Sequence, residues 1–346
     1  MPFLVTGAAG FIGMHVALAL LKRGERVIGL DNLNDYYDRR LKRARLGQLQ
    51  THPGFRFAQI DLSDAAAVES LFNAERPRQV IHLAAQAGVR YAIDHPLAYA
   101  QSNLVGMTVM LDACRRYGVE HLVFASSSSV YGGNQKVPFL ESDPVDHPVS
   151  FYAATKRANE LMAHSFAHLF ALPCTGLRLF TVYGPWGRPD MAVWKFTAAM
   201  LVGQAIPIYG EGLLSRDFTY IDDCVTAILA IVDAGPAQAG AARSAPDAAT
   251  APLALVNIGR SDPVTVNQLI AEIERATHVR AVRDHQPMQP GDVERTFAGT
   301  TKLLENYGVH PAVSLREGIE RFVSWYLTWA EHCANPSIVI EPDASS

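Results

Sequence analysis

Short apolar blocks alternate with longer amphipathic stretches along the first half of the chain. Residues 3–5, 26–30, 55–60, 80–85, 121–125 and 175–180 read as strands. Several are apolar almost throughout, which suits strands buried on both faces of a sheet. Between them, 14–22, the stretch carrying Arg39 to Arg45, 97–117 and the stretch from Phe151 onward read as helices. Strand and helix in alternation predict an α/β fold built on a doubly wound parallel sheet. Past residue 180 the alternation relaxes, and a smaller C-terminal α/β substrate lobe is expected. The expected division is 1–180 with about 218–258 for the sheet domain, 181–217 with 259–335 for the second lobe, and 336–346 as a tail.

The first strand runs through a glycine turn into the first helix: Thr6-Gly7-Ala8-Ala9-Gly10-Phe11-Ile12-Gly13. Gly7 lets the chain turn sharply, Gly10 leaves no side chain between backbone and ligand, and Gly13 lets helix and sheet approach. The helix then offers unpaired N–H groups and its positive dipole end to a pyrophosphate. This is a Rossmann-type cradle, although its glycine spacing differs from the commonest fingerprint. The second strand ends in Asp31, where an acid accepts hydrogen bonds from ribose hydroxyls and repels a 2′-phosphate, so NAD is expected rather than NADP.

Asp61-Leu62, after the third strand, stand where an adenine edge is met, and the small Ala84 and Ala85 let a cofactor lie close. Gln86 and Arg90 follow at the carboxyl end of the fourth strand, where open α/β sheets bind ligands. Arg90 suits either a ligand phosphate or carboxylate or a surface ion pair, and the residues alone do not choose. Arg39, Arg40, Lys42, Arg43 and Arg45 read as a solvated helix face. His82 and His121 lack partners at ligand spacing and read as structural, so no metal site is expected.

Net charge is −4 over 346 residues, which gives no general drive towards nucleic acid or an anionic membrane. Cys114, Cys174, Cys224 and Cys333 show no C-x-x-C spacing, arguing against a disulfide framework and for a reducing compartment. The first strand starts within a few residues of Met1, and no apolar run is long enough to span a bilayer. A soluble, cytoplasmic protein is expected.

The candidate chemistry lies in two places. The fifth strand opens into Ser126-Ser127-Ser128-Ser129-Val130-Tyr131-Gly132, and Tyr152 and Lys156 follow at i and i+4, on one face of a helix. A free tyrosine titrates near ~10; an adjacent ammonium and a nicotinamide cation both favour its phenolate. Tyr152 can then take a proton from a sugar hydroxyl that a serine of the run orients.

From Phe3 to Tyr326 the chain resembles the extended short-chain dehydrogenase/reductases that act on nucleotide sugars, and within them the UDP-glucuronate 4-epimerases. The markers are Ile28-Gly29-Leu30-Asp31-Asn32-Leu33-Asn34-Asp35-Tyr36-Tyr37, Ala85-Gln86-Ala87-Gly88-Val89-Arg90-Tyr91 and Thr181-Val182-Tyr183-Gly184-Pro185-Trp186-Gly187-Arg188-Pro189-Asp190-Met191-Ala192. By position, the resemblance implies Ser127 as the catalytic serine, Tyr152 as base and Lys156 as its electrostatic partner and ribose contact. It adds Phe11, Ile12 and Asn32 to the cofactor contacts and puts Pro185 near the nicotinamide. Ser128, Ser129, Thr181, Arg188 and Met191 would line the sugar pocket. Arg216 would hold the UDP phosphates and Asp292 the uridine ribose, while many relatives carry arginine where this chain has Gln289.

The implied reaction is 4-epimerisation of UDP-glucuronate to UDP-galacturonate: Tyr152 removes the 4-hydroxyl proton, C4 gives a hydride to NAD, and the 4-keto sugar turns over and takes it back. The oxidised sugar is a β-keto acid that must not decarboxylate, and Ser128, Ser129, Thr181 and Arg188 are candidate clamps for its carboxylate. The competing reading of Arg188 is a loop-anchoring salt bridge. Decarboxylases and dehydratases of the family carry an acid where this chain has Ser128 and Ser129, which favours epimerisation. A UDP-glucose/UDP-galactose 4-epimerase is the alternative, then a UDP-glucuronate decarboxylase, and last a non-catalytic NAD-binding sensor. The resemblance implies a homodimer packed through helices near 97–117 and 152–169. The Ala-, Gly- and Pro-rich run 234–252 reads as a flexible surface insertion, Ser314-Leu315-Arg316-Glu317 as a capping box opening a closing helix, and the tail after Asn335 as loosely ordered.

Overall fold

The computed structural model describes residues 1–241, 251–288 and 293–332. The strands of the first half are β1 (Phe3–Thr6), β2 (Val27–Asp31), β3 (Phe55–Gln59), β4 (Gln79–His82), β5 (His121–Ala125) and β6 (Cys174–Leu179). Between them lie helices α1 (Phe11–Lys22), α2 (Arg39–Gln50), α3 (Ala65–Glu75), α4 (Tyr91–Asp94), α5 (Pro96–Tyr99), α6 (Gly106–Arg116) and α7 (Phe151–Phe170). The second half holds β7 (Thr181–Tyr183), α8 (Ala192–Leu201), β8 (Ala205–Tyr209), β9 (Ser215–Tyr220), α9 (Ile221–Ala241) and β10 (Leu253–Ile258). It closes with β11 (Pro263–Thr265), α10 (Val266–Thr277), β12 (Val282–Gln286), α11 (Thr301–Tyr307) and α12 (Leu315–His332).

Seven parallel strands form the main sheet in the order β10-β6-β5-β4-β1-β2-β3. The expected doubly wound α/β architecture is therefore present. One buried cluster joins the sheet to α1, α2 and α9, the other joins it to α3, α6 and α7. The direction of strand addition reverses between β1 and β4, which pair at their carboxyl ends through Thr6 and His82, opening the crevice where such sheets take ligands. Two small sheets, β11-β9-β7 and β12-β8, stand beyond that crevice.

Three local departures from the sequence reading have physical causes. The stretch expected as one helix over 97–117 is divided: α5 ends at Tyr99, a π-helical turn spans Ala100–Val105, and α6 follows. That turn frees the Asn103 carbonyl, which accepts from Asn159 Nδ2 at 2.6 Å, while the Asn103 side chain exchanges bonds with the Gln86 backbone and Thr155. The fourth strand ends at His82, so Ala84 and Ala85 lie in the loop above the sheet. The 234–252 run continues as helix to Ala241, with a kink at Gly235; residues 242–250, Gln289 to Asp292 and the tail lie outside the described residues. At the far end, Ser314 Oγ accepts from the Glu317 N–H at 3.2 Å and starts α12.

Candidate active site

A cleft of about 1570 Å³ runs across the carboxyl ends of β1, β2, β4 and β5 to the small sheets of the second half. At its sheet end, Gly7 adopts φ +70°, a conformation that costs glycine little. A Cβ on Gly13 would stand 2.0 Å from the Gly7 carbonyl, and one on Gly7 2.9 Å from the Ala84 nitrogen. The turn is thus closed to any side chain. Asp31 accepts from the Ala9 and Leu33 N–H groups at 3.1 and 2.8 Å, which fixes it at the mouth of the turn. Asp61 accepts from Asn32 Nδ2 at 2.8 Å and from Ser63. Burial opposes its ionisation, but these bonds hold its carboxyl below the usual range. Phe11, Ile12, Asn32, Leu62, Ala84, Ala85 and Gln86 line the same end. A cradle that a Cβ would fill, with an acid at the end of β2, fits a dinucleotide lacking a 2′-phosphate.

Tyr152 sits in the first turn of α7, which Ser150 caps by accepting from the Ala153 N–H at 3.1 Å. Lys156, one turn on and only 4% exposed, donates to the Ala125 carbonyl at 2.9 Å, and burial pulls its ammonium down to about 8. Burial raises the Tyr152 phenol, against which Arg188 and a hydrogen-bonding contact with Ser127 act. The cation pulling against burial at the phenol is Arg188. Tyr99 packs edge-on to Tyr152 with centroids 6.1 Å apart and donates to the Ala87 carbonyl at 2.9 Å; only its tertiary position reveals it.

The serine run divides. Ser127 caps the short turn Ser128–Tyr131: its hydroxyl accepts from the Ser129 N–H at 3.1 Å and donates to the Ser129 hydroxyl at 3.0 Å. Ser126 turns inward and donates to Glu160 Oε1 at 2.7 Å. Glu160 and Arg178, each 1% exposed, form a two-pronged ion pair at 2.9 Å, and Arg178 also reaches the Tyr131 hydroxyl at 3.0 Å. Tyr131 in turn donates to Asn257 Oδ1 at 2.7 Å. This network fixes the loop from below.

Thr181, Arg188, Met191 and Arg216 line the cleft with Ser127, Ser128, Ser129 and Arg90; Pro185 is half-buried and is not among the lining residues. Arg188 pairs with Asp190 through two bonds, one of 3.0 Å, and Tyr36 donates to the same carboxylate at 3.1 Å. Burial works against its charge, but Asp190 keeps Arg188 ionised. The salt-bridge reading of Arg188 therefore holds, and the guanidinium faces the cleft as well. Arg90 lies over the Tyr209 ring at 5.2 Å, and Arg216 donates to the Ser215 carbonyl at 2.9 Å. Asp292 lies outside the described residues.

The basic run needs correction. Arg39, Arg40 and Arg43 are exposed, but Lys42 is buried and lines the cleft, and Arg45 is fully buried. The solvated-face reading fails for these two because loops cover that side of α2: Lys42 donates to Asn34, and Arg45 donates to Ala9, Tyr37, Trp186 and Gly187. His82 bonds Thr6 at 2.8 Å and His121 bonds Thr175 at 2.9 Å, both structural roles. Among the described residues no group of three His, Cys, Asp or Glu side chains could hold a metal.

A tyrosine one helical turn from a buried lysine, set across from a dinucleotide cradle, is the working arrangement of the short-chain dehydrogenase/reductases, and this chain is built as one. Within them, the sequence model of the NAD dependent epimerase/dehydratase family matches residues 3–242, and the chain belongs to that family. A probable UDP-glucuronate 4-epimerase of Rhizobium meliloti is 47% identical over 94% of this chain and 97% of its own length. Among solved structures, a UDP-glucuronic acid 4-epimerase from Bacillus cereus in complex with UDP-glucuronic acid and NAD matches at TM-score 0.84 and 30% identity, over 95% of this chain and all of that one. A UDP-glucose 4-epimerase from Thermotoga maritima with UDP-glucose matches at TM-score 0.82 and 33% identity, over 95% and 99%.

Proposed function

We propose that the protein is an NAD-dependent 4-epimerase that interconverts UDP-glucuronate and UDP-galacturonate through a transient 4-keto sugar. The observation that carries this is a cationic Arg188 facing the same cleft as Tyr152, with Ser128, Ser129 and Thr181 beside it and no acid in the serine loop. A neutral hexose offers that arginine only hydroxyl acceptors, whereas a hexuronate offers a charged carboxylate and stronger, charge-assisted bonds. The near-half identity to a relative named for UDP-glucuronate supports the same choice over the neutral-sugar alternative.

Gly7, Gly10, Phe11, Ile12, Gly13, Asp31, Asn32, Asp61, Leu62, Ala84, Ala85 and Gln86 would hold NAD, which when bound would supply the acceptor for the C4 hydride and its return. Tyr152 takes the proton of the 4-hydroxyl and gives it back to the other face. Ser127 orients that hydroxyl. Arg188 supplies positive charge that eases ionisation of the phenol, and Lys156 reaches a cofactor ribose. Arg90 and Arg216 hold the diphosphate, leaving the keto-sugar free to turn. Arg188, Ser128, Ser129 and Thr181, with Met191 packing against the ring, keep the carboxylate bond out of line with the C4 carbonyl. If that bond aligns, C5–C6 breaks, its electrons enter the carbonyl as an enolate, carbon dioxide leaves and C5 takes a proton.

Replacing Arg188 with alanine is therefore expected to slow epimerisation roughly 10²-fold, the size of effect a small misplacement of reacting groups has, and to divert turnover to a UDP-pentose. Proton NMR of the anomeric signals distinguishes the products. An unchanged rate with no pentose would remove Arg188 from the clamp. The reading as a whole is tested by incubating the purified protein with UDP-glucuronate and with UDP-glucose: conversion of the acid supports it, and conversion of the neutral sugar alone would replace it with the alternative.

The protein works as a homodimer in the cytoplasm. Leu97 at 82% exposure, with Val105, Leu161 and Leu169, leaves an apolar face on α5 to α7 that supports pairing of these helices with their copies. Cys114, Cys174 and Cys224, all buried and free, support a reducing compartment. Gel filtration at micromolar concentration is expected to give twice the chain mass, and a monomer would overturn the dimer.

A further inference from the structure

Arg45 is a fully buried cation, and among the described residues none of its hydrogen bonds goes to a carboxylate. Its guanidinium instead gathers three backbone carbonyls and a phenol. Nη2 donates to Trp186 and Gly187 at 2.7 and 2.8 Å, Nε donates again to Trp186 at 3.0 Å, and Nη1 donates to Ala9 at 3.2 Å and the Tyr37 hydroxyl at 2.5 Å. Ala9 belongs to the glycine turn and donates its own N–H to Asp31. Trp186 and Gly187 are the two residues before Arg188. One side chain thus bonds both the dinucleotide cradle and the loop that carries the carboxylate-facing arginine.

The loop also shows what needs holding. Trp186 sits at φ +63°, a left-handed conformation that a bulky side chain adopts at a cost unless its surroundings impose it. On the other side its ring packs against Trp325 and Trp329 with centroids 5.2 and 5.3 Å away. The backbone is gripped by Arg45 and the ring by α12, and the next turn delivers Arg188 to the cleft. A buried arginine is expensive to desolvate, and the Trp186, Gly187 and Ala9 carbonyls that accept from it are what offset that cost. Its planar fork of donors is suited to holding several acceptors in fixed geometry.

We propose that Arg45 is a positioning residue that ties the cofactor cradle to the 184–191 loop, so that Arg188 holds the hexuronate carboxylate out of the decarboxylating alignment. The substrate part of this rests on the UDP-glucuronate reading; the anchoring part does not.

The test is Arg45→Met, with Arg45→Lys, in the full-length protein. All four tryptophans, Trp186, Trp194, Trp325 and Trp329, lie in the cluster against which the loop docks, so their fluorescence reports release of Trp186 without any substrate. A variant that retains the wild-type circular dichroism is expected to show red-shifted tryptophan emission, at least a tenfold lower kcat on UDP-glucuronate with KM little changed, and at least a tenfold larger fraction of UDP-pentose among the products. Wild-type emission in a folded variant overturns the anchoring. A red shift with unchanged kcat and product ratio overturns the positioning role and leaves Arg45 structural. Should Arg45→Met not fold, Arg45→Lys decides by the same readings, because an ammonium cannot span the four acceptors. If the wild-type protein does not convert UDP-glucuronate, the substrate reading has failed, and the emission measurement still decides whether Arg45 anchors the loop.

Discussion

Tyr152→Phe is expected to lower kcat on UDP-glucuronate by roughly 10²–10⁴-fold, the range contributed by a positioned acid–base group, while leaving the affinity for UDP-glucuronate and the content of bound NAD unchanged. The substitution removes one oxygen from a side chain whose ring is already held by Tyr99 and by the first turn of α7, so the cleft keeps its shape and loses only the proton acceptor. Because burial raises the phenol in the site as it stands, with Arg188 and Ser127 pulling the other way, the wild-type rate is expected to rise with pH as the phenolate becomes available. That rise should vanish in the phenylalanine variant. Single-turnover kinetics between pH 6 and 9 separate the two, and a variant with near wild-type kcat would remove Tyr152 from the chemistry.

Breaking the buried pair beneath the serine loop is expected to have the largest effect on stability. Glu160→Leu leaves Arg178 charged in a site where each partner is 1% exposed, a loss that costs about 3–5 kcal/mol in comparable buried pairs. It also deprives Ser126 of its acceptor. The urea midpoint should fall accordingly, and a loss below about 1 kcal/mol, the scale of an exposed pair, would show that the site is wetter than its burial indicates. The double variant Glu160→Leu/Arg178→Met should recover most of the loss, since no buried charge is left unpaired and Arg157, which also bonds Glu160, is partly exposed and keeps Asp146 at 3.6 Å.

Local features were legible in the sequence where the physics is local. The glycine turn, the acid after β2 and the Tyr152–Lys156 spacing are written within a few residues of one another, and each lies at the expected place on its element. What escaped depends on distant partners. Arg45 looked solvated because its acceptors on Trp186 and Gly187 lie 141 and 142 residues away. Glu160 and Arg178 left a readable trace, an acid at the next four-residue step after Lys156 and an arginine inside an otherwise apolar strand, and such a charge implies a buried partner. The π-helical turn at Asn103 left none, since it is set by hydrogen bonds to Gln86, Thr155 and Asn159 on other elements. For Arg188 the ion-pair reading is met by Asp190, and Arg188 also lines the cleft.

The most direct measurement of the central claim uses UDP-glucuronate carrying deuterium at C4, incubated with the purified protein in ordinary water. Oxidation and reduction at one carbon through a retained cofactor should yield UDP-galacturonate with the deuterium still at C4, visible as a missing H4 signal in the proton spectrum. Product with hydrogen at C4 would contradict the account by requiring exchange with solvent, and recovery of unconverted UDP-glucuronate would contradict it outright.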